Sequence, residues 1–70
     1  MYKFVNEIGD IFYYKDNTRH REDGPAIEYA HGIKYWFLNN ICMEFDVWKT
    51  EVRKYYDTEE DYLLMLLKMD

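Results

Sequence analysis

Residues 19–40 read Arg19-His20-Arg21-Glu22-Asp23-Gly24-Pro25-Ala26-Ile27-Glu28-Tyr29-Ala30-His31-Gly32-Ile33-Lys34-Tyr35-Trp36-Phe37-Leu38-Asn39-Asn40. The order of turn signals in this stretch decides the fold. Asp23-Gly24-Pro25 marks a sharp turn, because Pro25 restricts the residue before it and Asp23 can brace the backbone with its carboxylate. Ala26 to Tyr29 alternates as a strand. His31-Gly32 is a tight reversal with Gly32 free to take positive φ. Ile33 to Leu38 is a second strand, and Asn39-Asn40 turns the chain again, since Asn tolerates left-handed backbone better than most residues. Gly24 is expected to need a backbone conformation closed to residues with side chains.

Reading outward, Tyr2-Lys3-Phe4-Val5 and Ile11-Phe12-Tyr13-Tyr14 flank a Gly-Asp link and predict a β-hairpin. Lys15 to Thr18 reads as a polar loop, and Ile41-Cys42-Met43 as a last short strand. Beyond residue 43 the period changes. Phe45, Trp48, Val52 and Tyr55 share one helical face, with Asp46 as N-cap. Thr58 caps a second helix whose first turn is acidic and whose buried stripe is Leu63, Leu66 and Leu67, widened by Tyr62, Leu64, Met65 and Met69. The expected fold is α+β in one domain. An antiparallel meander of four to five short strands (1–43) precedes two C-terminal helices (44–70). Tyr29, Tyr35 and Phe37 are expected on one sheet face, and Trp36 and Leu38 on the other.

Composition narrows function. The chain has 70 residues, of which 8 are Tyr, 4 Phe and 2 Trp. A body this small buries only about 60% of its unfolded surface. Fourteen rings exceed what such an interior holds, so some are expected outside, where rings commonly anchor partners. Net charge is −5, with −1 in residues 1–43 and −4 in residues 44–70. That balance disfavours nucleic acid and anionic membrane as ligands. The single cysteine, Cys42, permits no intramolecular disulfide and fits a reducing cytosol. No leader is evident in the opening residues. The longest apolar run, Tyr62 to Leu67, falls far short of the ~20 residues that span a bilayer.

The stretch at 19–40 resembles a MORN-like β-hairpin repeat of small proteins from tailed phages and large DNA viruses. Its consensus runs His-Arg-Glu-Asp-Gly-Pro-Ala, a strand, Asn/Asp-Gly, and a strand ending Trp-Tyr-Leu-Asn-Gly. The resemblance covers about a third of the chain and departs at Asn39-Asn40, where the family has Asn-Gly. It implies a small accessory viral protein acting in the cytoplasm of an infected host cell. It implies no general activity. Because the motif recurs in every repeat of an array, it implies a structural role for His20, Arg21, Asp23, Gly24 and Pro25.

His20-Arg21-Glu22-Asp23 has the ingredients of an active site. On an extended chain, however, His20 and Glu22 share one face and Arg21 and Asp23 the other. Neither the two histidines nor Cys42 stands at zinc-ligand spacing. The chain has no serine, which excludes a serine triad, and no phosphate loop or cofactor motif is present. No metal, cofactor or catalytic residue is expected.

The leading expectation is a non-enzymatic protein that binds and inhibits a host protein, such as an antiviral defence factor. Tyr55, Tyr56, Asp57, Glu59, Glu60 and Tyr62 at the helix junction are the first candidate contact, their acids suited to a basic or nucleic-acid-binding surface on the host protein. The sheet's outer face around Tyr13, Tyr35 and Trp36 is the second. Alternatives are a self-associating scaffold, with a homodimer through the C-terminal helix, and a small hydrolase or nucleotide-binding protein.

Overall fold

The computed structural model describes residues 1–69. The two N-terminal apolar runs form β1 (Tyr2–Val5) and β2 (Ile11–Lys15), paired antiparallel from Tyr2↔Tyr14 to Val5↔Ile11. Asn6 closes their link. Its Oδ1 accepts from the N–H groups of Ile8, Gly9 and Asp10 at 3.0–3.1 Å, and Gly9 takes the left-handed conformation, φ 97°, that its missing Cβ allows. Asp10 accepts from Asn6 Nδ2 with one oxygen and from the Ala30 N–H, at 2.7 Å, with the other. The first hairpin is thereby fastened to the next turn of the sheet.

The stretch read as a polar loop is in fact a second tight hairpin. Asp16 and Asn17 lie at φ 51° and 63°, the two consecutive left-handed residues that a two-residue hairpin needs. They return the chain into β3 (Thr18–Arg19), which pairs with β2. An irregular segment then leads to β4 (Ile27–Glu28), β5 (Lys34–Leu38) and β6 (Ile41–Met43). Asn39 and Asn40 repeat the left-handed pair at φ 50° and 68°, so Asn fills the Gly position of the usual turn. The sheet order is β1-β2-β4-β5-β6, with β3 beside β2, and every pairing is antiparallel. An antiparallel meander followed by two helices is what the sequence pattern predicts.

The helices differ from expectation in detail. α1 spans Phe45–Glu51 and continues into a 3-10 turn, Val52–Tyr55. Its N-cap is Glu44, not Asp46; Asp46 lies inside the first turn, where its charge still faces the positive helix end. Trp48 and Val52 are fully buried, as the period requires. α2 (Glu59–Lys68) is capped by Thr58, whose hydroxyl accepts from the Asp61 N–H at 3.1 Å.

The buried stripe of α2 is not the Leu63-Leu66-Leu67 set. Met65 is buried, Tyr62, Leu66 and Met69 pack beside it, and Leu63 and Leu67 are 48% and 81% exposed. The helix is rotated because Tyr62 docks through its hydroxyl on the Lys49 carbonyl, 2.7 Å away. That bond points Tyr62, Met65, Leu66 and Met69 inward together, at i, i+3, i+4 and i+7.

Two apolar clusters result, one on each side of the sheet. Trp36 and Leu38 face the helices, packing with Trp48, Val52 and Met65. Phe37 faces away with Ala26 and Ile27, against Phe12 and Tyr29. This is the division of faces that alternation predicts for Tyr29, Tyr35, Phe37, Trp36 and Leu38. Among the described residues no helix is long and apolar enough to cross a membrane.

The Asp10 brace makes a pH prediction. The Ala30 N–H, and secondarily the Asn6 amide, hold the Asp10 carboxyl below its usual value. A lowered folded pKa gives stability that is present above the unfolded value, about 4, and lost as pH falls through the folded one. Asp10→Asn should therefore flatten the stability–pH curve below about pH 4, measured by urea titration, and leave its slope near neutrality unchanged.

Candidate functional site

The segment between β3 and β4 carries the greatest concentration of chemically capable side chains. It has little regular structure, yet the alternation holds. His20 pairs with Glu22, Nε2 to Oε2 at 2.7 Å, and Arg21 pairs with Asp23, Nε to Oδ1 at 2.8 Å. His20 is wholly buried. Its Nδ1 accepts from the Asn39 N–H at 2.9 Å, so the proton resides on Nε2 and points at Glu22. Tyr55 meets the imidazole edge-on, with ring centroids 5.2 Å apart. Both ring nitrogens are thus committed inside the protein.

Arg21 is committed more heavily. Its Nη1 donates to the Pro25 carbonyl and to Glu28, each at 3.1 Å. The guanidinium lies 4.0 Å from the Tyr13 ring centroid, where a partly desolvated cation–π contact contributes about 1–2 kcal/mol. Its own carbonyl accepts from Trp48 Nε1 at 3.2 Å. Asp23 holds the turn through this arginine, whereas the sequence reading had it bracing the backbone directly.

Gly24 is required for a reason other than the expected one. Its φ is not in the left-handed region; Gly9 and Gly32 are the glycines that are. Instead, a Cβ at Gly24 would fall 2.7 Å from Arg21 Cζ and 2.9 Å from Nη1. The guanidinium lies flat on the glycine backbone. His20, Arg21, Asp23, Gly24 and Pro25 therefore form one internal clasp, and Gly24, Pro25 and Ala26 are all buried.

The helix-junction candidates are largely structural as well. Tyr56 donates its hydroxyl to the Glu22 carbonyl at 2.6 Å. Burial, then the Asp23 and Glu22 charges, raise its pKa and keep it a donor. Tyr55 accepts from Asn39 Nδ2 at 2.8 Å, and Tyr62 is fixed on Lys49. Tyr55 and Tyr56 tie the helical part to the β5–β6 turn and the segment after β3, and Tyr62 ties α2 to α1. Asp57, Glu59 and Glu60 are exposed, and Glu59 pairs with Arg53 at 2.8 Å.

The three sheet candidates separate. Tyr13 and Trp36 lie on the helix side, Tyr13 under Arg21 and Trp36 between Phe45 and Trp48. A notch of about 390 Å³ opens there between Trp36, Phe45, Lys49, Leu66 and Met69. Tyr35 is on the opposite side, 42% exposed.

That opposite side was missed as a unit by residue-level reading. The register places Phe4↔Phe12, Phe12↔Ile27 and Ile27↔Tyr35 directly across one another, so they share a face. Tyr2 and Tyr14 form a second pair on it, and Tyr29 touches Phe12, Tyr35 and His31 at 5.3–6.1 Å. Tyr2 and Phe4 are exposed, and no helical residue packs on this cluster among the described residues. Arg19 caps the face over Phe37 and makes no ion pair among the described residues. A hollow of about 640 Å³ adjoins it beside Tyr2, Tyr14 and the Lys15–Asn17 turn. The signal was present in the sequence as period-two aromatics, but only the register shows that they line up across strands. Cys42 is exposed on β6, not covered as an apolar strand setting suggests. Among the described residues no three His, Cys, Asp or Glu side chains are placed to hold a metal ion.

The clasp yields two predictions. His20→Leu should cost about 1–3 kcal/mol in urea unfolding, because the Asn39 N–H loses its acceptor inside the protein. Gly24→Ala should cost about 1–3 kcal/mol by displacing the arginine, and in an Arg21→Ala background most of that penalty should vanish, a coupling that a double-mutant cycle reads directly.

Comparison with known proteins places no family on this architecture: no family model, no curated protein and no solved structure matches the chain.

Proposed function

We propose that this is a non-enzymatic binding protein that engages a partner protein through the open aromatic face of its sheet. The observation that carries this reading is the sheet face without a helical layer, where Tyr2, Phe4 and Tyr35 stand exposed around half-buried Phe12, Tyr14 and Tyr29 and buried Ile27. A sheet face of this kind is ordinarily buried against a second layer. Here the helices occupy the other side, and these rings remain available to a partner. Tyrosine offers contact area with few rotors to freeze. Arg19 at the margin favours a partner with a carboxylate set beside apolar residues.

The catalytic alternative is weakened by the same structure. His20, Arg21, Glu22 and Asp23 bond one another, Glu28 and backbone groups. Taken with the resemblance of residues 19–40 to viral hairpin repeats, the binding reading makes this a small viral accessory protein that occludes a host protein in the host cytoplasm. An antiviral defence factor is the partner class that reading favours.

The test uses a partner captured from host lysate and then purified. Tyr35→Ala combined with Phe4→Ala should weaken its binding at least ~30-fold, in keeping with two anchor residues of about 1–2 kcal/mol each. Glu59→Lys with Glu60→Lys should leave the affinity within about threefold, a change of under 1 kcal/mol. The reverse pattern in folded variants would place the contact on the helix junction.

A further inference from the structure

The buried imidazole of His20 has two partners that ask opposite things of it. A backbone N–H can only donate. The Asn39 N–H meets His20 Nδ1 at 2.9 Å, so Nδ1 keeps its lone pair for as long as this bond lasts. Nε2 donates to Glu22 at 2.7 Å, and a carboxylate beside an imidazole favours the charged ring. One partner requires neutral histidine and the other attracts imidazolium. The turn that Asn39 begins rests on few other bonds. The Asn40 N–H reaches the Arg19 carbonyl and Asn39 Nδ2 reaches the Tyr55 hydroxyl, each at 2.8 Å. Both asparagines are exposed and lie at φ 50° and 68°, a left-handed backbone that costs energy unless it is held. The charged and titratable groups around the ring are few. From β2, Lys15 Nζ stands 3.5 Å from the same Glu22 oxygen. From the 3-10 turn, Tyr55 meets the ring edge-on, with Lys54 Nζ 5.7 Å from the Tyr55 ring centroid. The β5–β6 turn brings neutral asparagines.

We propose that His20 is a proton-operated latch on the β5–β6 turn. A proton from solvent forms a new N–H bond at Nδ1, and Glu22 balances the charge of the resulting imidazolium. Nδ1–H and the Asn39 N–H then point at one another, two donors with no acceptor between them. The Asn39 N–H turns out to water, which its exposed position allows, and the Asn39 contact with Tyr55 loosens with it. The seat of the 3-10 turn on the sheet is thereby released. The β2–β4 and β4–β5 pairings do not pass through Asn39 and stay closed. The sign follows from the chemistry: the latch is shut at higher pH and opens as pH falls. Glu22 assists opening because its charge stabilises the imidazolium, and Lys15 opposes it by sharing that carboxylate. The latch is independent of which partner occupies the open sheet face.

The experiment follows isotope-labelled protein from about pH 8 to about pH 5, a range that brackets the ordinary titration of imidazole. Ring-nitrogen resonances report the proton on His20 Nδ1. Amide exchange, corrected for its intrinsic pH dependence, reports the protection of each N–H. Asn39 protection should fall at least ~10-fold with the same midpoint as the Nδ1 signal. The Tyr13 N–H, bonded to the Ala26 carbonyl, should stay protected throughout. Glu22→Gln keeps an acceptor for Nε2 and removes the charge, so its midpoint should lie about one pH unit lower. Lys15→Met should raise the midpoint, and His31→Gln should leave it in place. If Glu22→Gln does not fold, the wild-type titration and Lys15→Met decide. The proposal is overturned by a protonated Nδ1 with Asn39 still protected, or by an imidazole that stays neutral until Asn39 and Tyr13 lose protection together. A release that disappears in His31→Gln, or that keeps the wild-type midpoint in folded Glu22→Gln, overturns it as well.

Discussion

The Arg21 guanidinium is the contact on which the rest of the structure depends. It lies flat on Gly24, under it is the Tyr13 ring, and its nitrogens reach Asp23, Glu28 and the Pro25 carbonyl. Through its backbone the same residue bonds the Phe37 carbonyl and receives Trp48. β2, β4, β5 and α1 are thus tied to one side chain and its peptide. A planar donor fork suits this position in a way that a lysine would not, since several acceptors are met at fixed angles while one face stacks on an aromatic ring. In a chain of 70 residues, such a polar clasp supplies order that a larger domain would obtain from apolar volume.

His20 performs the complementary task at the other end of the segment. Its imidazole bridges Glu22 to the backbone of Asn39, so the β5–β6 turn is locked against β3. The Asn40 N–H also bonds the Arg19 carbonyl at 2.8 Å. The two left-handed turns, Asp16-Asn17 and Asn39-Asn40, recur on the same geometric terms along the chain. Local turn chemistry and long-range hydrogen bonding agree here, and such agreement across levels is what a well-specified fold shows.

Much of this architecture was legible in the sequence. Strand positions followed from period-two aromatics, and the hairpin at Gly32 and the Thr58 cap followed from turn and capping chemistry. What was not legible depended on contacts between distant residues. The role of Gly24 required knowing where Arg21 lies. The rotation of α2 is set by one hydroxyl on Tyr62, and a helix apolar on most sides gives no periodic signal with which to choose a face. β3 is two residues long and is visible only through its pairing. The structural role of the clasp residues is what the resemblance to the hairpin repeat implies, and alternation assigns them only to two faces. The open aromatic face needed the cross-strand register, because Tyr2, Phe12 and Tyr35 are far apart in sequence.

Both tryptophans belong to one cluster. Trp36 and Trp48 have ring centroids 4.7 Å apart, with Phe45 against both, where the helices meet β5. The open sheet face carries no tryptophan among the described residues. The indoles therefore report on one side of the sheet alone. Indole emission and the near-ultraviolet dichroism of the coupled indole pair follow the seating of the helical layer. The ring resonances of Tyr2, Tyr14, Tyr29 and Tyr35 follow events on the other side. Ligation of the sheet face would leave the indole spectrum almost still, whereas detachment of the helices would change it while the hairpins remained intact.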